Sequence, residues 1–257
     1  MGRKLVFSFY LNDNFNDEIN NIHFKCISYF SHCFDNADIT FLVDDGYNKD
    51  YLDIAQKKFI SIFNGKDISF SIRSNDKYRE SGVFYEKIAS RLSEEELVFF
   101  AHNKGLTNVL SYSREDIYTW VTGMYFYCLN FIDEVYNDLF IKKFYSYGSF
   151  LSVGNVPERC NKYGWYYLGT FFWINTKKLY QYMKNENIDL PLMSDRFYAE
   201  EFLGNIIPSW PLIFTSSHEW RYIENCGLLY YNTRDTMNNI YDTQKDNFDK
   251  FYKEILG

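Results

Sequence analysis

Two adjacent carboxylates, Asp44 and Asp45, close the run Phe41-Leu42-Val43-Asp44-Asp45-Gly46. A carboxylate accepts hydrogen bonds from a base imide or from ribose hydroxyls, so such a pair suits nucleoside recognition. The bland reading of the same residues is an Asp-Gly turn. A second run, Phe100-Ala101-His102-Asn103-Lys104-Gly105, gathers a histidine, an amide, a lysine and a glycine. Lysine charge and backbone N–H groups around a glycine both stabilise phosphate oxygens. Histidine binds a metal ion or a phosphate. The competing reading has His102 hydrogen-bonding a loop and Lys104 solvated; the loop position and the residue types together favour the chemical one. Arg79, in Asp76-Lys77-Tyr78-Arg79-Glu80-Ser81-Gly82, stands before a helix whose N-terminus favours an anion. An ordinary helix cap with exposed charges explains it equally well. His218, in Ser216-Ser217-His218-Glu219-Trp220, is a lone loop histidine and a weak candidate.

The elements that position these residues alternate. Strand patterns cover residues 5–10, 39–43, 68–72 and 97–101, and helical patterns cover 17–34, 51–63 and 81–92. In the second helix Leu52, Ala55, Phe59 and Ile62 recur at helical spacing. This rhythm predicts a mixed, mainly parallel sheet with helices on both faces, an α/β fold. Ligands on such sheets lie beyond the carboxyl ends of the strands. The loops after Tyr10, Val43, Ile72 and Ala101 are therefore the places to look, and Tyr10 joins the candidate ligand contacts. Ser113 opens a capping box for a long helix reaching about residue 139, with an apolar stripe of Ile117, Trp120, Met124, Cys128, Phe131 and Val135. At that spacing Trp120 and Met124 read as core. Residues 144–153 and the aromatic run 164–175 read as one strand each. Ser194-Asp195 caps a helix ending near 205, before Pro208. Residues 212–215 form a short strand, and a polar helix follows from 238 on. No repeat or linker interrupts the chain, which reads as one domain over residues 1–257.

These residues resemble the nucleotide-sugar-binding glycosyltransferases of the GT-A type. Phe41 to Gly46 is similar to the Val-Asp-Asp-Gly segment that ends the second strand in family-two enzymes, where the acidic pair binds the uracil or ribose of the donor. His102-Asn103-Lys104-Gly105 resembles a His-x-Lys-Gly signature of bacterial glycosyltransferases from capsule and surface-polysaccharide clusters. It stands where a standard GT-A enzyme has its Asp-x-Asp metal motif, and no Asp-x-Asp follows the fourth strand. Tyr166-Tyr167-Leu168-Gly169-Thr170-Phe171-Phe172-Trp173 looks like the strand closing the acceptor side. There Gly169 would let a sugar approach the backbone, and Trp165, Tyr166 and Tyr167 would stack on it; an aromatic core strand is the plainer account. Tyr198-Ala199-Glu200-Glu201-Phe202-Leu203-Gly204 matches a late Tyr-Ala-Glu-x-Phe-Leu-Gly run. Tyr198, Phe202, Leu203 and Ile206 form its apolar arc, so Glu200 and Glu201 are expected to point away from it. Exposed helix glutamates are usually only solvated charges, and the motif position alone singles out Glu200 as a base toward the acceptor hydroxyl or as a sugar ligand.

The resemblance covers roughly residues 4–220 as short patches. It implies transfer of a sugar from a nucleotide-sugar, a uridine diphosphate sugar first among donors, to a glycan or lipid-linked glycan acceptor in surface polysaccharide synthesis. Asp44, Asp45, Tyr10, Arg79, Asn103, Gly105 and Gly169 would contact the donor, and Glu200, Lys104 and His102 would act in catalysis. No metal ligand set is legible. The expectation is at most a divalent ion arriving with the diphosphate; magnesium prefers carboxylates and phosphate oxygens, and His102 suits manganese better. One rival is a sugar nucleotidyltransferase, which would carry a glycine-rich phosphate loop after the first strand. Leu11-Asn12-Asp13-Asn14-Phe15-Asn16 is acidic and has no glycine. Another rival is a non-catalytic nucleotide- or carbohydrate-binding protein on the same fold.

Composition narrows the partners. A net charge of −7 argues against nucleic acid, which needs a basic footprint. Hydrophobic residues at 46% fit a globular chain, and aromatics at 21% include surfaces on which sugar faces stack. The five cysteines form no Cys-x-x-Cys pair, which suggests neither a zinc site nor a disulfide framework and fits a cytoplasmic location. No apolar run approaches the ~20 residues of a membrane span, and the N-terminal stretch does not read as a signal peptide. Peripheral membrane association is compatible with this sequence.

Overall fold

The computed structural model describes residues 2–12, 18–94, 96–103, 113–133, 136, 145–148, 151–153, 162–163, 165–167, 169–193, 195–208, 212–213 and 245–257. Four strands run parallel: β1 (Arg3–Leu11), β2 (Asn36–Val43), β3 (Asp67–Ser74) and β4 (Leu97–His102). The remaining strands are β5 (Ser146–Gly148), β6 (Leu151–Val153), β7 (Trp165–Tyr167), β8 (Phe172–Asn175) and β9 (Leu212–Ile213). The helices are α1 (Glu18–Tyr29), α2 (Lys49–Ile62), α3 (Glu80–Lys87), α4 (Arg114–Leu129), α5 (Thr176–Asn185), α6 (Tyr198–Ile206) and α7 (Lys245–Leu256). A seven-stranded sheet has the order β3-β2-β1-β4-β8-β5-β9. Strand β8 is antiparallel to both β4 and β5. The sheet is therefore mixed and mainly parallel, as the sequence rhythm predicts.

Side-chain alternation along β1 divides the core in two. Leu5, Phe7 and Phe9 join Ile22 of α1, Phe59 of α2, Met124 of α4 and Phe251 of α7 on one face. Val6, Phe100 and Phe172 join Phe84 of α3, Met183 of α5 and Phe202 of α6 on the other. Met124 is buried, while Trp120 is half-buried against the first cluster. The chain passes from β1 to β2 on one side and reaches β4 on the other. The topological switch point thus lies between β1 and β4.

Several boundaries correct the sequence reading. Residues 164–175 are two strands: β7 pairs antiparallel with β6 in a separate two-stranded sheet, while β8 sits in the main sheet. Residues 144–153 likewise supply β5 and β6 to different sheets. Helix α4 starts where expected, with the Ser113 hydroxyl accepting from the Asp116 N–H; it breaks after Leu129 in a two-residue turn, and residues 132, 133 and 136 are helical again. Helix α6 begins at Tyr198, after an Asp195 carboxylate that accepts from the Phe197 N–H at 2.7 Å. Among the described residues, no helix is long and apolar enough to cross a membrane.

Candidate active site

The acidic pair follows β2 directly. The Tyr47 N–H donates to the Asp44 carbonyl, Gly46 takes φ +78°, and Asn48 then caps α2 by accepting from the Asp50 N–H. Both carboxylates are exposed, but they differ in their bonding. The Tyr10 hydroxyl donates to Asp44 Oδ2 at 2.5 Å, and Asn75 Nδ2 donates to Asp44 Oδ1 at 2.9 Å. Asp44 therefore ties together the ends of β1, β2 and β3. Asp45 makes no hydrogen bond or ion pair among the described residues and keeps its acceptor capacity for a ligand.

Across the switch point, His102 is the last residue of β4 and half-buried. Its Nε2 lies 3.1 Å from the Gly169 carbonyl oxygen. A carbonyl only accepts, so Nε2 donates to it. The Gly169 carbonyl also accepts from the Thr170 hydroxyl at 2.8 Å. On the other side of the same residue, the Gly169 N–H donates to Glu200 Oε1 at 3.3 Å. Gly169 thus links His102 on β4 to Glu200 on α6.

Glycine is required at 169 for two reasons. Its φ is +81°, and a Cβ there would fall 2.8 Å from Met124 Sδ. The close neighbour of this backbone is a methionine of the core. Thr170 follows at φ +56°, an uncommon conformation for a β-branched residue. Glycine takes such a φ freely, so the strain of this turn lies at Thr170.

Glu200 and Glu201 are 4% and 9% exposed. This reverses the expectation that they face solvent. Helix α6 is wedged between α3 and β7, and its residues 198–204 are all buried. Trp165, Tyr166 and Tyr167 are also fully buried. Trp165 Nε1 donates to the Ile207 carbonyl, and the Tyr167 ring stacks on Phe172. They are core and offer no face for a sugar.

Helix α3 runs against the strand direction. Lys87 near its end pairs with Asp38 at the start of β2, and Gly82 near its beginning packs on Arg73 at the end of β3. Arg79, its N-cap, is therefore on the rim at the carboxyl side of the sheet, exposed and at φ +48°. The helix start is already occupied. Ser81 and Gly82 donate their N–H groups to the Tyr78 and Arg79 carbonyls, and a Cβ on Gly82 would lie 2.5 Å from the Arg73 guanidinium. Arg73 pairs in turn with Glu86 and, at 2.7 Å, with Asp76. Burial works against the charged Asp76 carboxylate. The Tyr78 amide, the Arg73 guanidinium and the Arg79 amide outweigh it and hold its pKa below the usual value. The Ser81 hydroxyl donates to the Arg196 carbonyl and accepts from the Ala199 N–H, tying α3 to the start of α6.

Asn103 is buried, and its carboxamide is engaged by Tyr10 and by Asn20 of α1. Lys104, Gly105, Ser194 and His218 lie outside the described residues. Asn20, Asn75 and Thr170 were not singled out by sequence reasoning. Asn75 immediately follows β3 in Ser74-Asn75-Asp76, the kind of strand-end polar residue that the fold rule points to.

The sequence reading expects at most a divalent ion carried in by the donor diphosphate. Among the described residues, no group of three or more His, Cys, Asp or Glu side chains is placed to hold one. Cys26, Cys33 and Cys128 are buried free thiols, and burial pushes the Cys33 thiol up to about 12.

No family model matches the chain, and no curated protein matches it. Among solved structures, it is similar to 4-diphosphocytidyl-2C-methyl-D-erythritol synthase from Anaerococcus prevotii, at 11% identity and a TM-score of 0.38, with 100% of both chains covered. It is also similar to the mannosyltransferase Ktr4p from S. cerevisiae, at 12% identity and a TM-score of 0.34, covering 78% of this chain and 62% of that one.

Proposed function

We propose that the chain is a glycosyltransferase that takes a sugar from a nucleotide-sugar, a uridine diphosphate sugar first among donors, and passes it to a glycan or lipid-linked glycan acceptor. The observation that carries the reading is the arrangement at the carboxyl ends of the parallel strands. An open carboxylate, Asp45, stands beside the anchored Asp44 on one side of the switch point. On the other side, His102 and Glu200 meet through Gly169. The first group suits a nucleoside and the second suits the reacting end of the donor.

In this reading Asp45 accepts from the base imide or ribose, with Asp44 and Tyr10 holding the loop. Lys104, two residues past the end of β4, supplies positive charge as the nucleoside diphosphate leaves. His102, at the end of β4, is assigned to the same phosphate site. Glu200 takes the proton of the acceptor hydroxyl or holds the transferred sugar. Arg79 on the rim gives a further cation for phosphate. Any divalent ion that takes part is expected to arrive with the donor diphosphate, whose oxygens would hold it. The role in surface polysaccharide synthesis rests on the His-x-Lys-Gly resemblance.

A nucleotidyltransferase reading is disfavoured by the acidic, glycine-free run after β1. Calorimetry with a panel of nucleoside diphosphates tests the proposal, with uridine diphosphate expected to bind in the micromolar to millimolar range. No heat from any nucleotide at millimolar concentration would remove its basis. Binding without sugar transfer or donor hydrolysis would favour a non-catalytic relative.

A further inference from the structure

Strands β1 and β4 pair in parallel up to Ser8 and His102, and the Asn103 N–H continues the ladder to the Ser8 carbonyl at 3.2 Å. In an uninterrupted parallel ladder the next two bonds would involve Tyr10. Its N–H would reach the main-chain carbonyl of residue 103, and its carbonyl would receive the amide of residue 105. Among the described residues, both Tyr10 groups are met by one side chain. Asn103 Oδ1 accepts from the Tyr10 N–H at 2.7 Å, and Asn103 Nδ2 donates to the Tyr10 carbonyl at 2.9 Å. A carboxamide has the same donor and acceptor as a peptide group, so the side chain stands in for main chain.

The second Nδ2 hydrogen goes to Asn20 Oδ1 at 3.1 Å, which brings α1 into the same knot. The amide orientation is dictated by Tyr10. A flipped amide would set N–H against N–H at one contact and oxygen against oxygen at the other two. Asn103 thus has both amide hydrogens committed within the protein, and it is 5% exposed. Tyr10, fixed at its backbone, extends its hydroxyl to Asp44. A chain of hydrogen bonds therefore runs from α1 through the end of β4 to the ends of β1, β2 and β3.

We infer that Asn103 is a positioning residue and not a donor ligand. It sets the placement of Tyr10, and through the Tyr10 phenol that of Asp44 and its neighbour Asp45. The ligand consequence rests on the nucleotide-binding reading above; the clamp itself does not.

The test compares hydrogen exchange, nucleotide affinity and melting in wild type, Asn103→Ala and Tyr10→Phe. In Asn103→Ala the Tyr10 amide should exchange about tenfold faster or more, while Val6 and Phe7 in the same strand keep their protection. Uridine diphosphate affinity should fall about tenfold, with turnover at saturating donor changed less. Tyr10→Phe keeps the clamp and cuts the link to Asp44. It should lose comparable affinity with the Tyr10-position amide still protected. Two results would overturn the inference: a Tyr10 amide in Asn103→Ala as protected as in wild type, or one that loosens only in step with all of β1. Wild-type affinity in Tyr10→Phe would equally overturn the route to Asp44. If Asn103→Ala fails to fold, Asn20→Ala removes only the outer bond and should loosen the Tyr10 amide in smaller measure; full protection there would overturn the link from the clamp to α1. A wild-type protein that binds no nucleotide would remove the proposed function and leave the exchange comparison to decide the clamp by itself.

Discussion

Asp45 and Glu200 are both carboxylates at the carboxyl end of one sheet, yet they live in opposite surroundings. Asp45 is exposed on a turn and has no partner among the described residues, whereas Glu200 is buried in a helix wedged between α3 and β7 and accepts from the Gly169 N–H. The glycines beside them differ in the same way. Gly46 and Gly169 have nearly equal φ, +78° and +81°, but nothing lies within 4 Å of a Cβ on Gly46, while Met124 Sδ lies 2.8 Å from one on Gly169. One half of the site is an open turn held by a few hydrogen bonds. The other is a strained turn built into the core. A ligand adapts the first and must fit the second.

Alanine at the two glycines sharpens this contrast most. Gly46→Ala should cost about 1–2 kcal/mol, the penalty of a left-handed backbone for a residue with a Cβ. Gly169→Ala adds overpacking against Met124 and should cost about 2–4 kcal/mol in total. Urea denaturation of both variants measures the difference, and equal losses would mean that Met124 yields freely.

The pair proposed to act in catalysis comes next. Lys104→Ala should lower turnover by ~10²-fold with the fold intact and nucleotide affinity less affected. Glu200→Gln should match that loss in turnover, by ~10²-fold or more for a lost base, while the amide oxygen still accepts from Gly169 and melting is preserved. Glu200→Ala should also destabilise, by about 1–3 kcal/mol, because a buried N–H loses its acceptor. Normal turnover in folded Lys104→Ala would move the reacting end of the donor away from the end of β4.

On the open side the effects are milder. Asp45→Ala should weaken nucleotide binding about tenfold, with stability within about 0.5 kcal/mol of wild type. Asp44→Ala should lose affinity as well and also lower the melting temperature, since Tyr10 and Asn75 lose their acceptor. Identical stability in the two variants would break the distinction drawn between anchor and ligand.

The smallest effect is one of pH. Asp76 has a folded pKa below its ordinary 3.8. Its contribution to stability is therefore present above that value and is lost as pH falls through the lower folded one. Asp76→Asn should flatten the acid limb of the stability curve slightly. A shallow change is expected because the carboxylate is largely solvated. An unchanged acid limb would assign that limb to other carboxylates.

The legible and illegible parts of the molecule divide along the same line as the two halves of the site. From residue 3 to residue 102, period-two and helical patterns are punctuated by turn residues, and the strands, the helices and the Asp44–Asp45 turn all fall where expected. Beyond that, aromatic density hides the breaks. In residues 165–175 a single glycine marks the place where one apparent strand becomes two in different sheets, and the positive φ of Thr170 leaves no trace in its residue type. The burial of Glu200 was missed because an apolar arc names the face a helix must bury and is silent on whether the opposite face is covered too. The role of Asn103 was missed because a side chain that replaces a peptide group looks, in sequence, like any loop amide.

Helix α7 has a consequence of a different kind. Its Phe251 meets Tyr29 edge-on and Phe30 at a tilt where α1 ends, and Lys25 of α1 donates to the Ile255 carbonyl, a partner 230 residues away. At ribosomal rates of roughly 5–20 residues per second, α1 waits about 10–50 s for the segment that covers it. Throughout that interval its aromatic edge lacks the cover that α7 provides. Contacts of such long range also make for slow folding. Yield in a cell is therefore expected to depend on how well that early edge is shielded while the rest of the chain is made.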